Sequence, residues 1–253
     1  MRLTYVMVPG FVVLATLGIA LSPATKEFGK ITLPLGFVQV RPAGTSEWQR
    51  AKVKHPVFVK DGIQTKAKSR AEITLTGGGK VRIGENSELE LTEANVKPLK
   101  KNFNANLNKG KIWVSAKAAF GETKNVSVRT PTAVAAIRGT KYRVEAGQEE
   151  SSILVYDGKV DVNWAQNVQE MRREQVPKGG GAPQFKLGPT QEVKAPEQVA
   201  GPYEVTLEEW ITLVEGMQIN IRKDGKYHMF EFDKGADADL EWVKWNQELD
   251  GQE

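Results

Sequence analysis

Ala71–Leu91 reads AEITLTGGGKVRIGENSELEL, three apolar pairs separated by two turn-rich breaks. Ile73 and Leu75 alternate with polar neighbours, as do Val81 and Ile83, then Leu89 and Leu91. A period of two places each pair on one face of a strand and its polar neighbours on the other. Gly77-Gly78-Gly79 and Gly84-Glu85-Asn86-Ser87 supply the turns between them. The same rhythm runs outward through Val38/Val40, Ile112/Val114, Val126/Val128, Tyr142/Val144, Leu154/Tyr156 and Val160/Val162, with further turns at Asp61-Gly62, Lys109-Gly110 and Asp157-Gly158. Short strands at intervals of roughly 8–12 residues predict a mainly β domain over 29–164: a sandwich, a barrel or a solenoid.

The flanks read differently. Tyr5–Leu21 is an uncharged apolar run with Arg2 ahead of it and Ser22-Pro23-Ala24 after it. Residues 1–24 are therefore expected to be a cleaved export signal or an uncleaved membrane anchor, either of which sends the remainder out of the cytoplasm. Residues 165–202 are rich in Pro and Gly and predict a linker with little structure of its own. The tail, 203–253, predicts a small acidic α+β unit of helix, hairpin and helix. Thr206-Leu207-Glu208-Glu209 has the form of a capping box, and Leu207, Trp210, Ile211 and Val214 make one helical stripe ended by Gly216. Met217, Ile219 and Ile221 alternate into Asp224-Gly225, and His228, Phe230 and Phe232 alternate back. Leu240–Leu249 would be the second helix, carrying Trp242 and Trp245. So small a unit is marginal alone and cannot bury both indoles. Trp242 and Trp245 are thus candidates either for docking onto the β domain or for an interaction surface offered to a partner.

Charge is split along the chain. From Tyr203 onward there are 5 basic and 13 acidic residues, a net of −8, while the residues before it hold 30 basic and 18 acidic, a net of +12. The basic clusters are either the solvated outer faces of strands or an attraction for the acidic tail, anionic lipid or an anionic cell-wall polymer.

The chemistry available is sparse. The sequence has no Cys and two His, His55 and His228, which excludes disulfides, thiol catalysis and cysteine zinc sites. Ser127, Ser151 and Ser152 lack a nucleophile-elbow setting, and Gly77-Gly78-Gly79-Lys80 lacks the spacing of a phosphate loop. Glu88 and Glu90 share a strand face, as solvated carboxylates do. No catalytic residue, cofactor or metal site is expected.

Val128–Val144, VRTPTAVAAIRGTKYRV, resembles the hallmark of the FecR family, V-x-T-P-x-A-x-x-x-x-R-G-T-x-F/Y-x-V. Val59–Thr65, Ala71–Ile83, Leu107–Val114 and Val155–Val162 resemble the family's other steps, so the likeness covers about Gly36–Val162. Within the motif, Pro131 suits a strand start, Gly139 a tight corner, and Thr140 a hydroxyl closing a turn. Thr130, Pro131, Arg138, Gly139 and Thr140 thus read as structural, with Arg138 either tying carbonyls at a corner or contacting a partner or anion. The resemblance implies a β-solenoid-like, twisted β-helix-like domain engaged in protein contact and signalling. The family's best-known members join a cytoplasmic sigma-factor-binding segment to a periplasmic domain; with only Met1–Thr4 ahead of the apolar run, this chain is expected to lack that segment. The expectation is a periplasmic or otherwise extracytoplasmic, non-enzymatic module that senses or scaffolds by binding an envelope protein. The alternative is a glycan- or peptidoglycan-binding module. Nucleic acid is not an expected partner, and the membrane would be reached only through an uncleaved N-terminal segment.

Overall fold

The computed structural model describes residues 26–116, 120–138, 140–175 and 210–252, leaving out the side chains of 137, 138 and 171–175. Among these residues seventeen strands form one continuous sheet folded at its longest strand into two ladders. In chain order they are β1 (Glu27–Leu35), β2 (Val38–Arg41), β3 (Gln49–Arg50), β4 (His55–Phe58), β5 (Gly62–Thr65), β6 (Arg70–Leu75), β7 (Lys80–Ile83), β8 (Glu88–Lys97) and β9 (Lys100–Ser115). There follow β10 (Thr123–Arg129), β11 (Ala133–Arg138), β12 (Lys141–Ala146), β13 (Glu150–Asp157), β14 (Lys159–Trp164), β15 (Ile211–Val214), β16 (Met217–Arg222) and β17 (Tyr227–Glu231). Three helices complete the described chain: α1 (Gln166–Gln175), α2 (Lys234–Ala238) and α3 (Glu241–Gly251).

One ladder, sheet A, runs β4-β1-β6-β7-β9-β12-β13-β16-β17. The other, sheet B, runs β3-β2-β5-β8-β9-β10-β11-β14-β15. All neighbours are antiparallel except β9 and β10. The two inner faces share one apolar core, with Ile73, Val81, Ile112 and Val144 from sheet A meeting Ile63, Leu89, Leu107 and Val160 from sheet B. Strand alternation produces this directly, because every second residue must leave water.

Lys109-Gly110 is not the turn the sequence suggested. Lys100–Lys109 pairs with β8 in sheet B, whereas Gly110–Ser115 pairs with β12 in sheet A. Gly110 is therefore the bend at which β9 crosses between ladders. Its φ of +92° and a Cβ position only 2.2 Å from Ser87 Oγ require glycine there.

Three further expectations are corrected. Ile211–Val214 is a strand, not the end of a helix. Three of its four residues are β-branched, and pairing with β14 satisfies a backbone that a helix this short could not stabilise alone. Gln166–Gln175, placed in the linker by composition, is a helix. On β13 the core-facing pair is Ile153 and Val155, so Leu154 and Tyr156 point outward. The apolar run Tyr5–Leu21, the capping box at 206–209 and most of the Pro/Gly-rich stretch lie outside the described residues. Among the described residues no helix is long and apolar enough to cross a membrane.

Candidate functional site on the outer faces of the two sheets

The outer face of sheet A carries a cross-strand row, Glu72–Arg82–Trp113–Arg143–Leu154–Gln218, read directly from the pairing register. Its first five members are buried. The cover is the acidic C-terminal segment. Trp242 and Val243 pack with Trp113, while Tyr156 and Trp245 close the margin. Trp242 stacks on Trp245 with ring centres 5.3 Å apart, and Arg70 and Lys111 place cations over the indoles.

Ion pairs hold the cover in register. Arg82, with no solvent exposure, donates to Glu72 (2.8 Å) and to Asp250 (2.5 Å), and Asp250 also meets Lys141 and accepts from the Trp113 indole. Burial alone would lower the basicity of Arg82, but the hydrogen bonds and charges of Asp250 and Glu72 outweigh it and hold the guanidinium above its usual value. Arg143 donates to Asp237, which accepts from the Tyr156 hydroxyl as well (2.7 and 2.6 Å). The basic body and acidic tail of the sequence thus meet at this interface.

Trp242 and Trp245 are accordingly not a free surface, since Trp242 is 5% exposed and both are committed to contacts within the chain. The motif residues divide similarly. Thr130 closes the Thr130–Ala133 turn: its hydroxyl accepts from the amides of Thr132 and Ala133 and donates to the Ala133 carbonyl. Pro131 sits in that turn, its carbonyl accepting from Asn167. Thr132, which sequence reasoning passed over, is fully buried and bonds Ser151 Oγ and the Ile221 carbonyl, tying the turn to sheet A. A small polar residue after Thr-Pro was the only sign of it. The Thr140 hydroxyl closes no turn: among the described residues its oxygen is buried without a hydrogen bond, and its methyl packs over Gly158. Arg138 ends β11, but its side chain, like Gly139, lies outside the described residues.

The outer face of sheet B is open. Its corresponding row is Glu90–Asn106–Arg129–Val134–Asn163, and the next row is Asn104–Ser127–Ala136–Asp161–Thr212. Short amides and hydroxyls dominate, and small residues at Ala136 and Val134 lower its floor. Shallow cavities of about 440, 250 and 770 Å³ lie along it, with another of about 440 Å³ where α1 meets its end. Of the residues the sequence offered for chemistry, Glu90 and Ser127 stand on this face, in different rows and two strands apart, and among the described residues no three acidic or His side chains are grouped to hold a metal ion.

Residues 61–161 match the family described as FecR protein. The match is confined to this segment, under half of the chain. It begins at Asp61, whose buried carboxylate accepts from the amides of Ala43 and Phe58, and ends within β14. No curated protein matches the chain. Two crystal structures, at 1.65 and 2.50 Å, of a "putative anti-sigma factor" from Parabacteroides distasonis each share 16% identity with it, at a TM-score of 0.44. The match covers 68% of this chain and 60% of that one.

Proposed function

We propose that this protein is a non-enzymatic FecR-domain module of the bacterial cell envelope that senses or scaffolds by binding another protein outside the cytoplasm. The FecR match supports a signalling role, and the apolar run Tyr5–Leu21 supports export. The repeated return of the chain from one ladder to the other supports the solenoid-like reading of the domain.

The observation that carries the partner is the edge at β17. Sheet edges invite pairing with other chains, and most are blunted by brevity, proline or charge. Three edges here follow that rule: β3 has two residues, β4 contains Pro56, and β15 has four residues. The fourth, YHMFE at Tyr227–Glu231, pairs among the described strands with β16 alone and exposes Tyr227 (49%) and Met229 (43%). It is a template for an extended segment of a partner, added as one more strand of sheet A. His228, its ring tilted against that of Phe230 at 5.0 Å, belongs to this edge.

The test places a photo-crosslinking residue beside β17 and compares capture of envelope proteins by the parent and by Met229→Lys, a charge of the kind that blunts natural edges. A specific partner lost on substitution, with melting unchanged, supports the reading. Equal capture by both overturns it.

A further inference from the structure

We propose that the outer face of sheet B binds an acidic saccharide, laid across the strands from Asn106 toward Trp210 with its carboxylate on Arg129. This goes beyond the protein contact assigned to β17, which lies on the other ladder.

Arg129 is the point on which the cavities converge. It lines three of the four, the two of about 440 Å³ and that of about 250 Å³. Its cross-strand neighbours are Asn106 and Val134, both uncharged. Among the described residues its guanidinium makes no ion pair or hydrogen bond, in contrast to Arg82 and Arg143 on the opposite face. An exposed, unpaired guanidinium fork in a polar groove has the geometry to take a carboxylate by two parallel hydrogen bonds.

The groove beside it is preorganised for hydroxyl groups. Asn163 Oδ1 accepts from the Trp164 amide (2.8 Å) and from Gln169 Nε2 (3.1 Å), and Gln169 Nε2 also donates to the Trp164 carbonyl (3.0 Å). Both side-chain amides are thereby fixed in orientation. Those contacts leave Asn163 Nδ2 and Gln169 Oε1 unused, and both residues line the cavity, where they can offer one donor and one acceptor. Sugar hydroxyls need such a pairing, because each both gives and takes a hydrogen bond. Trp210 lines the same cavity with its side 49% exposed, an indole available to stack on the C–H face of a sugar ring. From Glu90 to Asn163 is four strand spacings, ~19 Å, room for a short oligosaccharide and not merely one ring. The face holds little apolar surface for a protein hot spot.

The carboxylate could belong to a uronic acid or to the lactyl group of a muramic acid, so the test has an arm for each. The full chain is titrated calorimetrically with a galacturonic acid tetrasaccharide, with a soluble muramic-acid-containing wall fragment, and with a neutral cello-oligosaccharide of matched length. We expect one acidic arm to bind at least tenfold more tightly than the neutral one. Arg129→Gln should remove that preference, because a charge-assisted contact is worth about tenfold or more in affinity. Trp210→Ala should weaken both acidic and neutral binding, while Met229→Lys, on the other ladder and outside the cavity lining, should change neither. Parent-like melting of Arg129→Gln and Trp210→Ala keeps these losses attributable to the groove. Absence of binding in both acidic arms, or an acidic preference that survives Arg129→Gln, overturns the proposal.

Discussion

Two faces of one sandwich, built by the same alternation, have opposite fates. Glu72–Arg82–Trp113–Arg143–Leu154 on sheet A is dry and ion-paired beneath a helix, while Glu90–Asn106–Arg129–Val134 on sheet B is uncovered, Arg129 exposed and only Asn163 at the end of the row buried. Both rows contain arginine and carboxylate, so charge alone does not decide which face is covered. Side-chain bulk does. Trp113, Leu154 and Tyr156 offer the tail apolar area worth on the order of 1.5–3 kcal/mol per large side chain, whereas asparagine, serine and alanine offer almost none. The arginines of sheet A then set the register of the cover, by requiring Asp237 and Asp250 opposite them.

The sharpest way to break this comparison is to make the same substitution on each face. Arg82→Ala leaves Glu72 and Asp250 buried without their guanidinium, and should destabilise the protein by about 3–5 kcal/mol. Arg129→Ala removes an exposed side chain and should stay within about 0.5 kcal/mol of the parent. Urea denaturation of both variants measures the difference. Similar midpoints would mean that the tail lies loosely over a wet surface.

Next in size is Trp242→Ala. It deletes the indole that covers Trp113 and stacks on Trp245, so a loss of about 3 kcal/mol is expected. The same variant should quench-expose Trp113, visible as a red shift of its fluorescence. A loss below about 1 kcal/mol would show that α3 collapses readily into the gap or contributes little.

Alkaline pH offers a third probe. Burial pushes the hydroxyl of Tyr142 well above the usual phenol range, and burial does the same for Tyr156, where the nearby Asp237 reinforces it against the pull of Arg143. The folded chain therefore keeps both protons at a pH where the unfolded chain releases them, near 10. Stability from these groups is complete below about pH 10 and falls as the pH rises past it, by about 1.4 kcal/mol per unit for each tyrosine. Tyr156→Phe should roughly halve that slope. An unchanged slope would place Tyr156 in water and its helix cover with it.

Much of this was legible in the sequence. The period of two located most strands, and the split between +12 and −8 anticipated which parts would meet. What escaped had physical causes. Leu154 and Tyr156 alternate as regularly as Ile153 and Val155, and alternation marks two faces of β13 without saying which is inner. Ile211–Val214 satisfied a helical stripe over a window whose fate was decided by a distant edge, that of β14. Gly110 looked like a turn because left-handed glycine serves turns and sheet-to-sheet bends alike. The open groove was invisible altogether: Asn106, Arg129, Asn163 and Trp210 come from four strands or their ends, and only register makes them neighbours.

The smallest effect tests whether sheet B is open by construction or merely uncovered. Asn102 and Asn125 face each other on this sheet, joined by an amide hydrogen bond of 3.0 Å, and neither is buried. If the asparagines of β9 were a structural ladder, each would stabilise its neighbour and truncation would propagate along the row. If they are a solvated surface, water replaces the lost amide. Asn102→Ala should then cost no more than about 0.5 kcal/mol, and a double-mutant cycle with Asn125→Ala should show coupling no larger than that. Coupling above about 1.5 kcal/mol would make the polar face part of the scaffold, and its amides would then be held for the fold and not for a ligand.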